Sequence, residues 1–289
     1  MKFTRYTDIQ AFHRDTFTIM MRHEAQNAIP LGNVIMGNKG EDKTDWRDPA
    51  NWFMGTVSDA QGIVLTAVMT PPHKLTLYCT DNKINSAALA CLLDEILAAG
   101  IPFPGVMTEK TLATLFAKMY AVKTGNSYET ETDLRLYELE KVNPDIPRTT
   151  VRLAEERDLA FLPYWDAGFN GDSFHKPFTV PTNAENTRNV INRKNRFIME
   201  VDGTPVTCAG LNMQMENICK IGPVYTPPYF RGNGYATQCV AAVSQIGLDK
   251  GFKKCVLYTD LANPTSNSIY MKIGYTPICD FLALNWVYA

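Results

Sequence analysis

The stretch Ile221-Gly222-Pro223-Val224-Tyr225-Thr226-Pro227-Pro228-Tyr229-Phe230-Arg231-Gly232-Asn233-Gly234-Tyr235-Ala236 decides how the chain is read. An apolar strand runs into a proline-stiffened turn, then a glycine-containing loop, then the start of a helix. Glycines let the backbone turn its N–H groups inward, and the helix end adds partial positive charge. Together they form a cradle for a pyrophosphate. Arg231 at the entrance can add charge-assisted hydrogen bonds. Taken alone, the same residues also read as an ordinary glycine turn before a helix.

The flanking pattern occurs twice. Residues 196–201, 205–213 and 218–226 read as strands and precede a helix from about 234 to 250, closed by Gly251. In the first half, residues 52–57, 63–70 and 75–80 precede a helix over 86–99, closed by Gly100. Both closures have the residue–glycine–apolar form of a left-handed C-cap. Helical spacing puts Ala236, Val240, Val243 and Gly247 on one face of the later helix, with Cys239, Ala242 and Ile246 beside them. Each half adds a further helix, 109–122 or 266–273, and a late strand, 133–137 or 280–284. This order predicts an α/β (α+β mixed-sheet) layer fold used twice. Pro144 and Pro147 hold the residues before them extended, which places the boundary there: residues 1–146 and 147–289.

At about 150 residues per domain, 289 residues accommodate that duplication. The 45% apolar and 20% charged composition is that of a globular protein able to offset its ordering entropy. With 28 basic against 30 acidic residues, net −2, no nucleic-acid partner is expected. The charge is uneven: residues 1–147 carry 14 basic and 18 acidic side chains, the rest 14 and 12. A polyanion therefore sits better on the second half. No apolar run approaches the roughly 18 residues of a membrane span, and the first residues lack a signal-peptide core. The expectation is a cytoplasmic protein without membrane partners. Seven cysteines, with no C-x-x-C pair, read as reduced buried thiols. They and four scattered histidines suggest no metal site.

Twenty-seven residues beyond Ala236 comes Asn263-Pro264-Thr265-Ser266-Asn267-Ser268-Ile269-Tyr270-Met271-Lys272-Ile273-Gly274-Tyr275. The two blocks together resemble the GNAT superfamily of acetyl-CoA-dependent N-acetyltransferases. Arg231-x-x-Gly234-x-Ala236 matches the family's R/Q-x-x-G-x-G/A motif, and the later block matches its asparagine-then-tyrosine helix. Residues 151–159 also look like the family's first strand and helix, so the resemblance covers about 148–289. It implies a mixed sheet that splays open between the strands at 218–226 and 254–259, with the pantetheine arm of acetyl-CoA in the gap. Main-chain groups of Val224, Tyr225 and Thr226 would bind that arm. Amides of Arg231, Gly232, Asn233, Gly234, Tyr235, Ala236 and Thr237 would hold the pyrophosphate. Asn263, Ser266 and Asn267 would face the pantetheine or the thioester, and Lys272 the outer phosphates. The first half keeps the rhythm but has Thr80-Asp81-Asn82-Lys83-Ile84-Asn85-Ser86 in place of the loop. A carboxylate there would repel a pyrophosphate, so this half reads as a degenerate GNAT-like domain, with Asp81 or Asn85 serving the helix start.

The implied activity is acetyl transfer to the amine of a small molecule or peptide by direct attack in a ternary complex. A non-catalytic acyl-CoA-binding or regulatory module is the alternative. Tyr270 is the candidate acid for the departing thiolate, since a phenol stays protonated at neutral pH. It could equally serve to pack its helix. Glu216 is the candidate base, with Glu200 and Asp202 as rivals. The aromatic run 161–170, followed by Phe174, reads as a loop that either lines an acceptor pocket or packs, with Asp166 or Asp172 available to meet a cationic amine. Residues 31–50 read as a surface loop. A homo-oligomer is compatible with all of this.

Overall fold

The computed structural model describes residues 1–40, 47–174 and 184–288. The chain packs as two compact units, Met1–Arg135 with Cys279–Ala289, and Leu136–Ile278.

In the first unit, β1 (Lys2–Tyr6), β2 (Phe53–Asp59), β3 (Gly62–Met69) and β4 (Thr76–Cys79) form an antiparallel sheet in chain order. Helices α1 (Ile9–Met21) and α2 (Ala28–Lys39) come between β1 and β2. Then follow α3 (Ser86–Ala98), β5 (Gly105–Glu109), α4 (Lys110–Thr124) and β6 (Ser127–Leu139). The helix–Gly100 closure is as expected, with Gly100 at φ 61°. Leu89, Leu92 and Phe116 fill the core together with Leu282, Leu284 and Trp286 from the last strand, β12 (Thr276–Val287). β12 runs antiparallel to β5, from Phe281↔Glu109 to Asn285↔Gly105, and Trp286 stacks on Tyr120 at 4.0 Å.

The second unit orders its strands β6-β11-β10-β9-β8-β7. These are the end of β6, then β11 (Lys254–Asp260), β10 (Ile218–Tyr225), β9 (Thr204–Asn212), β8 (Arg196–Val201) and β7 (Arg152–Leu153). Neighbours from β7 to β10 are antiparallel, whereas β10 and β11 are parallel. The helices are α5 (Leu162–Phe174), α6 (Glu185–Asn192), α7 (Tyr235–Asp249) and α8 (Pro264–Ile273). Cys239, Val240 and Val243 of α7 bury against Leu211, Cys219 and Ile221 of the sheet. Gly247 permits that approach, because a Cβ there would lie 2.7 Å from Cys219 Sγ.

Packing divides the chain elsewhere than at residues 146 and 147. Ile146 is buried in the core of the second unit, and Asn143 donates its backbone N–H to Ile273 O at 2.8 Å. The tail from Cys279 belongs to the first unit because its apolar side chains complete that core.

Two segments read as loops are helices. Leu31, Gly32, Val34 and Gly37 are buried within α2. A Cβ at Gly37 would meet the Trp52 ring at 2.8 Å, so this glycine serves packing rather than a turn. Residues 41–46 lie outside the described part. The aromatic run belongs to α5: Leu162 and Trp165 bury against Ile198 and Cys208, and Phe161 packs beside them. Within the second unit Trp165 is thus core, whereas Tyr164 is exposed. The side chain of Phe174 lies outside the described part.

Candidate active site

Parallel pairing between β10 and β11 covers Ile218↔Lys254, Cys219↔Cys255 and Lys220↔Val256. The strands continue to Tyr225 and Asp260, so they part beyond Lys220 and open a gap in the sheet. On its other edge β10 stays with β9 through Val224↔Ala209 and Tyr225↔Cys208, after an irregularity between Ile221 and Val224. Thr207 donates its hydroxyl to Tyr225 O at 2.9 Å and lies 2.8 Å from the Thr226 hydroxyl. The strand end is thereby anchored from one side and bare of strand partners on the other, among the described residues.

Past Thr226 the chain makes a single helical turn, Pro228–Phe230, and then the glycine loop. Gly232 and Gly234 take φ values of 82° and 77°, a left-handed geometry that side chains with a Cβ adopt at a cost. Gly234 is the N-cap of α7; no side chain caps this helix, and its first turn holds no acidic residue. Among the described residues, the initial N–H groups of α7, from Tyr235 through Thr237, thus have no side-chain cap. Uncapped donors at the positive end of a helix suit a pyrophosphate, so the donor set fits the phosphate part of coenzyme A. Asn233 braces the loop by donating to Phe230 O and Arg231 O. Arg231 is occupied: its guanidinium donates to Thr226 O at 2.9 Å and pairs with Asp172.

α8 begins at the carboxyl end of β11. Asn263 caps it by accepting from Ser266 N at 3.0 Å. Asn267 donates to Asp260 O and Asn263 O, both at 2.8 Å, and accepts from the Tyr137 hydroxyl at 2.8 Å. These side chains tie α8 to β11 and β6. Tyr270 is buried one turn further on, its ring 6.3 Å from Tyr137 and 5.9 Å from Tyr275. Burial pushes its phenol up to about 12, so it stays protonated across the working pH range. Lys272 is exposed in the last turn, about 13.5 Å along the helix from Asn263 at ~1.5 Å per residue.

The structure does not bring Glu216 to this gap. It is exposed and precedes β10, while Val224 lies at the other end of the strand, roughly 25 Å away at ~3.3 Å per residue. The rivals are engaged elsewhere. Glu200 pairs with Arg152 at 2.6 Å, and Asp202 sits in the β8–β9 turn at φ 48°. Asp166 is held by buried Arg196 at 3.0 Å and by the Thr187 hydroxyl at 3.1 Å. The sequence reading passed over Lys220, the last paired residue before the gap. Its signal was a lone charge inside the apolar strand Ile218-Cys219-Lys220-Ile221.

The acetyltransferase (GNAT) family model matches residues 161–275, which contain this gap, loop and helix. This segment is a GNAT domain. Among solved structures, the chain is similar to a GNAT-family acetyltransferase from Colwellia psychrerythraea, at 12% identity, with 100% of each chain covered and a TM-score of 0.58. A GCN5-related N-acetyltransferase from Sphaerobacter thermophilus matches at 13% identity over 99% and 96% of the two chains, TM-score 0.61. A tandem GNAT protein from the clavulanic acid biosynthesis pathway matches at 10% identity over 99% and 97%, TM-score 0.55. No curated protein matches the sequence. Since these likenesses span the chain, the fold is that of a tandem GNAT protein.

The GNAT-like first unit also has a parallel junction, between β4 and β5, bridged at Leu75↔Val106. Beyond it, a cavity of about 340 Å³ is lined by Tyr78, Cys79, Thr108 and Cys279, among others. The turn that follows β4 is closed. Asp81 pairs with Arg22 at 3.1 Å, and Asn85 caps α3 by accepting from Ala88 N at 3.0 Å. Of the two residues expected to serve that helix start, Asn85 does so. No helix among the described residues is long and apolar enough to cross a membrane. No group of metal-ligating side chains occurs among the described residues.

Proposed function

We propose that the protein is an acetyl-CoA-dependent N-acetyltransferase acting on the amine of a small molecule or peptide. The observation that carries this is the parting of β10 and β11 after Lys220↔Val256, which opens directly beside an uncapped helix N-terminus. In this reading the second unit, Leu136–Ile278, does the work and the first unit is its silent companion. Acetyl-CoA, when bound, supplies an acyl group already activated as a thioester. Main-chain groups of Val224, Tyr225 and Thr226 hold the pantetheine arm, and an N–H near Val224–Tyr225 polarises the carbonyl. Amides from Arg231 to Thr237 take the pyrophosphate. Asn263, Ser266 and Asn267 fix α8 so that Tyr270 reaches the departing sulfur, and Lys272 meets the outer phosphates. Holding both reactants in one gap removes much of the entropic barrier.

The test is thioester consumption with a panel of amines, using the wild type and Tyr270→Phe. Turnover that falls in the variant while coenzyme A still binds supports transfer. Binding without turnover, indifferent to Tyr270→Phe, would instead make the protein an acyl-CoA-binding module.

A further inference from the structure

Lys220 occupies an unusual place. It is the last rung of the β10–β11 pairing, at the apex of the gap. Its neighbours Cys219 and Ile221 belong to the core under α7, so strand alternation puts Lys220 on the opposite face. The ammonium lies 5.6 Å from the ring centroid of Tyr258. Tyr258 stands two residues further along β11, so the lysine side chain extends from the last rung along the parting strands. Val224 is four residues away on the same strand, about 13 Å at ~3.3 Å per residue, and an extended lysine spans roughly half of that.

Among the described residues, charged groups on the neighbouring elements have other partners; Asp260, two residues beyond Tyr258 on β11, accepts from Ala262 N at 2.8 Å. On β11, Lys254 is held by Glu138 of β6 at 3.0 Å and by Glu140, just past that strand, at 2.9 Å. On α5, Asp166 belongs to Arg196 and Asp172 to Arg231. On β9 the residue opposite Lys220 is Asn212, which is uncharged. The consequence is a contrast between two lysines on adjacent strands. Carboxylates raise Lys254, whereas burial pushes Lys220 below the usual lysine range.

We propose that Lys220, in its neutral form, is the base that takes a proton from the attacking amine, the role for which the sequence offered only carboxylates. This deepens the acetyltransfer reading and rests on it. The amine nitrogen bonds to the acyl carbon, the carbon–sulfur bond breaks, and one N–H proton passes to Nζ of Lys220. The thiolate takes its proton from the Tyr270 hydroxyl. The Lys220 ammonium and the Tyr270 phenolate then exchange a proton through solvent, which restores both groups.

The experiment uses the full chain. Lys220→Met and Lys220→Arg are compared with the wild type for coenzyme A affinity by calorimetry, and for kcat/KM against pH with the amine that the wild type turns over best. Arginine keeps the charge and bulk but has no neutral form at working pH. The expected result is coenzyme A affinity within about threefold, kcat lower by about 10²-fold or more in both variants, and loss of the rise in kcat/KM with pH. A Lys220→Met enzyme with wild-type kcat and pH profile would overturn the assignment while leaving acetyl transfer intact. A second measurement needs no turnover: competitive labelling of lysines with acetic anhydride across pH, read by mass spectrometry with and without coenzyme A. Lys220 should label with a midpoint below that of Lys254 and be protected by coenzyme A. A midpoint in the ordinary lysine range, or no protection in a protein that binds coenzyme A, sinks the proposal. Absence of any coenzyme A binding sinks the acetyltransfer reading and this assignment with it.

Discussion

The two units enter their central helices differently. Before α3, Asp81 and Asn82 hold left-handed φ values of 55° and 57° without being glycines, Arg22 neutralises Asp81, and Asn85 caps the helix from within. Before α7, glycines take the left-handed positions and nothing on a side chain caps the helix. One helix has a donor of its first turn taken by its own cap; the other, among the described residues, has no side-chain cap. The two units thus differ less in their sheets than in who supplies the acceptor at one helix start, and on the proposed reading that is what silences the first.

That contrast can be broken or sharpened by substitution. The largest effect expected concerns chemistry in the second unit. Tyr270→Phe should lower kcat by about 10²–10⁴-fold with little change in coenzyme A affinity, measured by steady-state kinetics and calorimetry. Next comes the loop. Gly234→Asp combines left-handed strain of about 1–2 kcal/mol with a carboxylate at the phosphate site, and should weaken coenzyme A binding roughly 10–100-fold. Asp81→Gly should leave coenzyme A affinity unchanged; an equal loss from both substitutions would mean that the cradle is misplaced. Calorimetry should count one coenzyme A per chain, because the α3 end is already filled, and a count of two would erase the distinction between the units. The smallest effect is on stability. Asn85→Ala should cost about 1 kcal/mol in a denaturant melt and leave coenzyme A affinity unchanged.

Much of the fold was legible in local pattern. The strands before α3 and α7, the Gly100 and Gly251 closures and the paired late strands all rest on periodicity and turn chemistry. The phosphate loop was legible because its two left-handed positions are glycines. The two loop readings failed for one reason. Residues 31–50 and 161–170 were read as loops, yet Gly37 and Gly168 each sit inside a helix and let an aromatic approach, Trp52 at 2.8 Å and the Tyr225 hydroxyl at 2.2 Å from where a Cβ would stand. Glu216 was chosen for its nearness in sequence to β10, but an eight-residue strand carries its ends far apart.

The sequence by itself determined the element order, the duplication and the glycine loop before α7, since each is written in contacts only a few residues apart. Tertiary structure alone decided three matters. It placed the tail from Cys279 in the core of the first unit, it committed Asp166, Asp172 and Glu200 to arginines, and among the described residues it gave Lys220 no carboxylate where two strands part. Each depends on which distant residues share one buried space, and burial and pairing are settled only when the sheet is assembled.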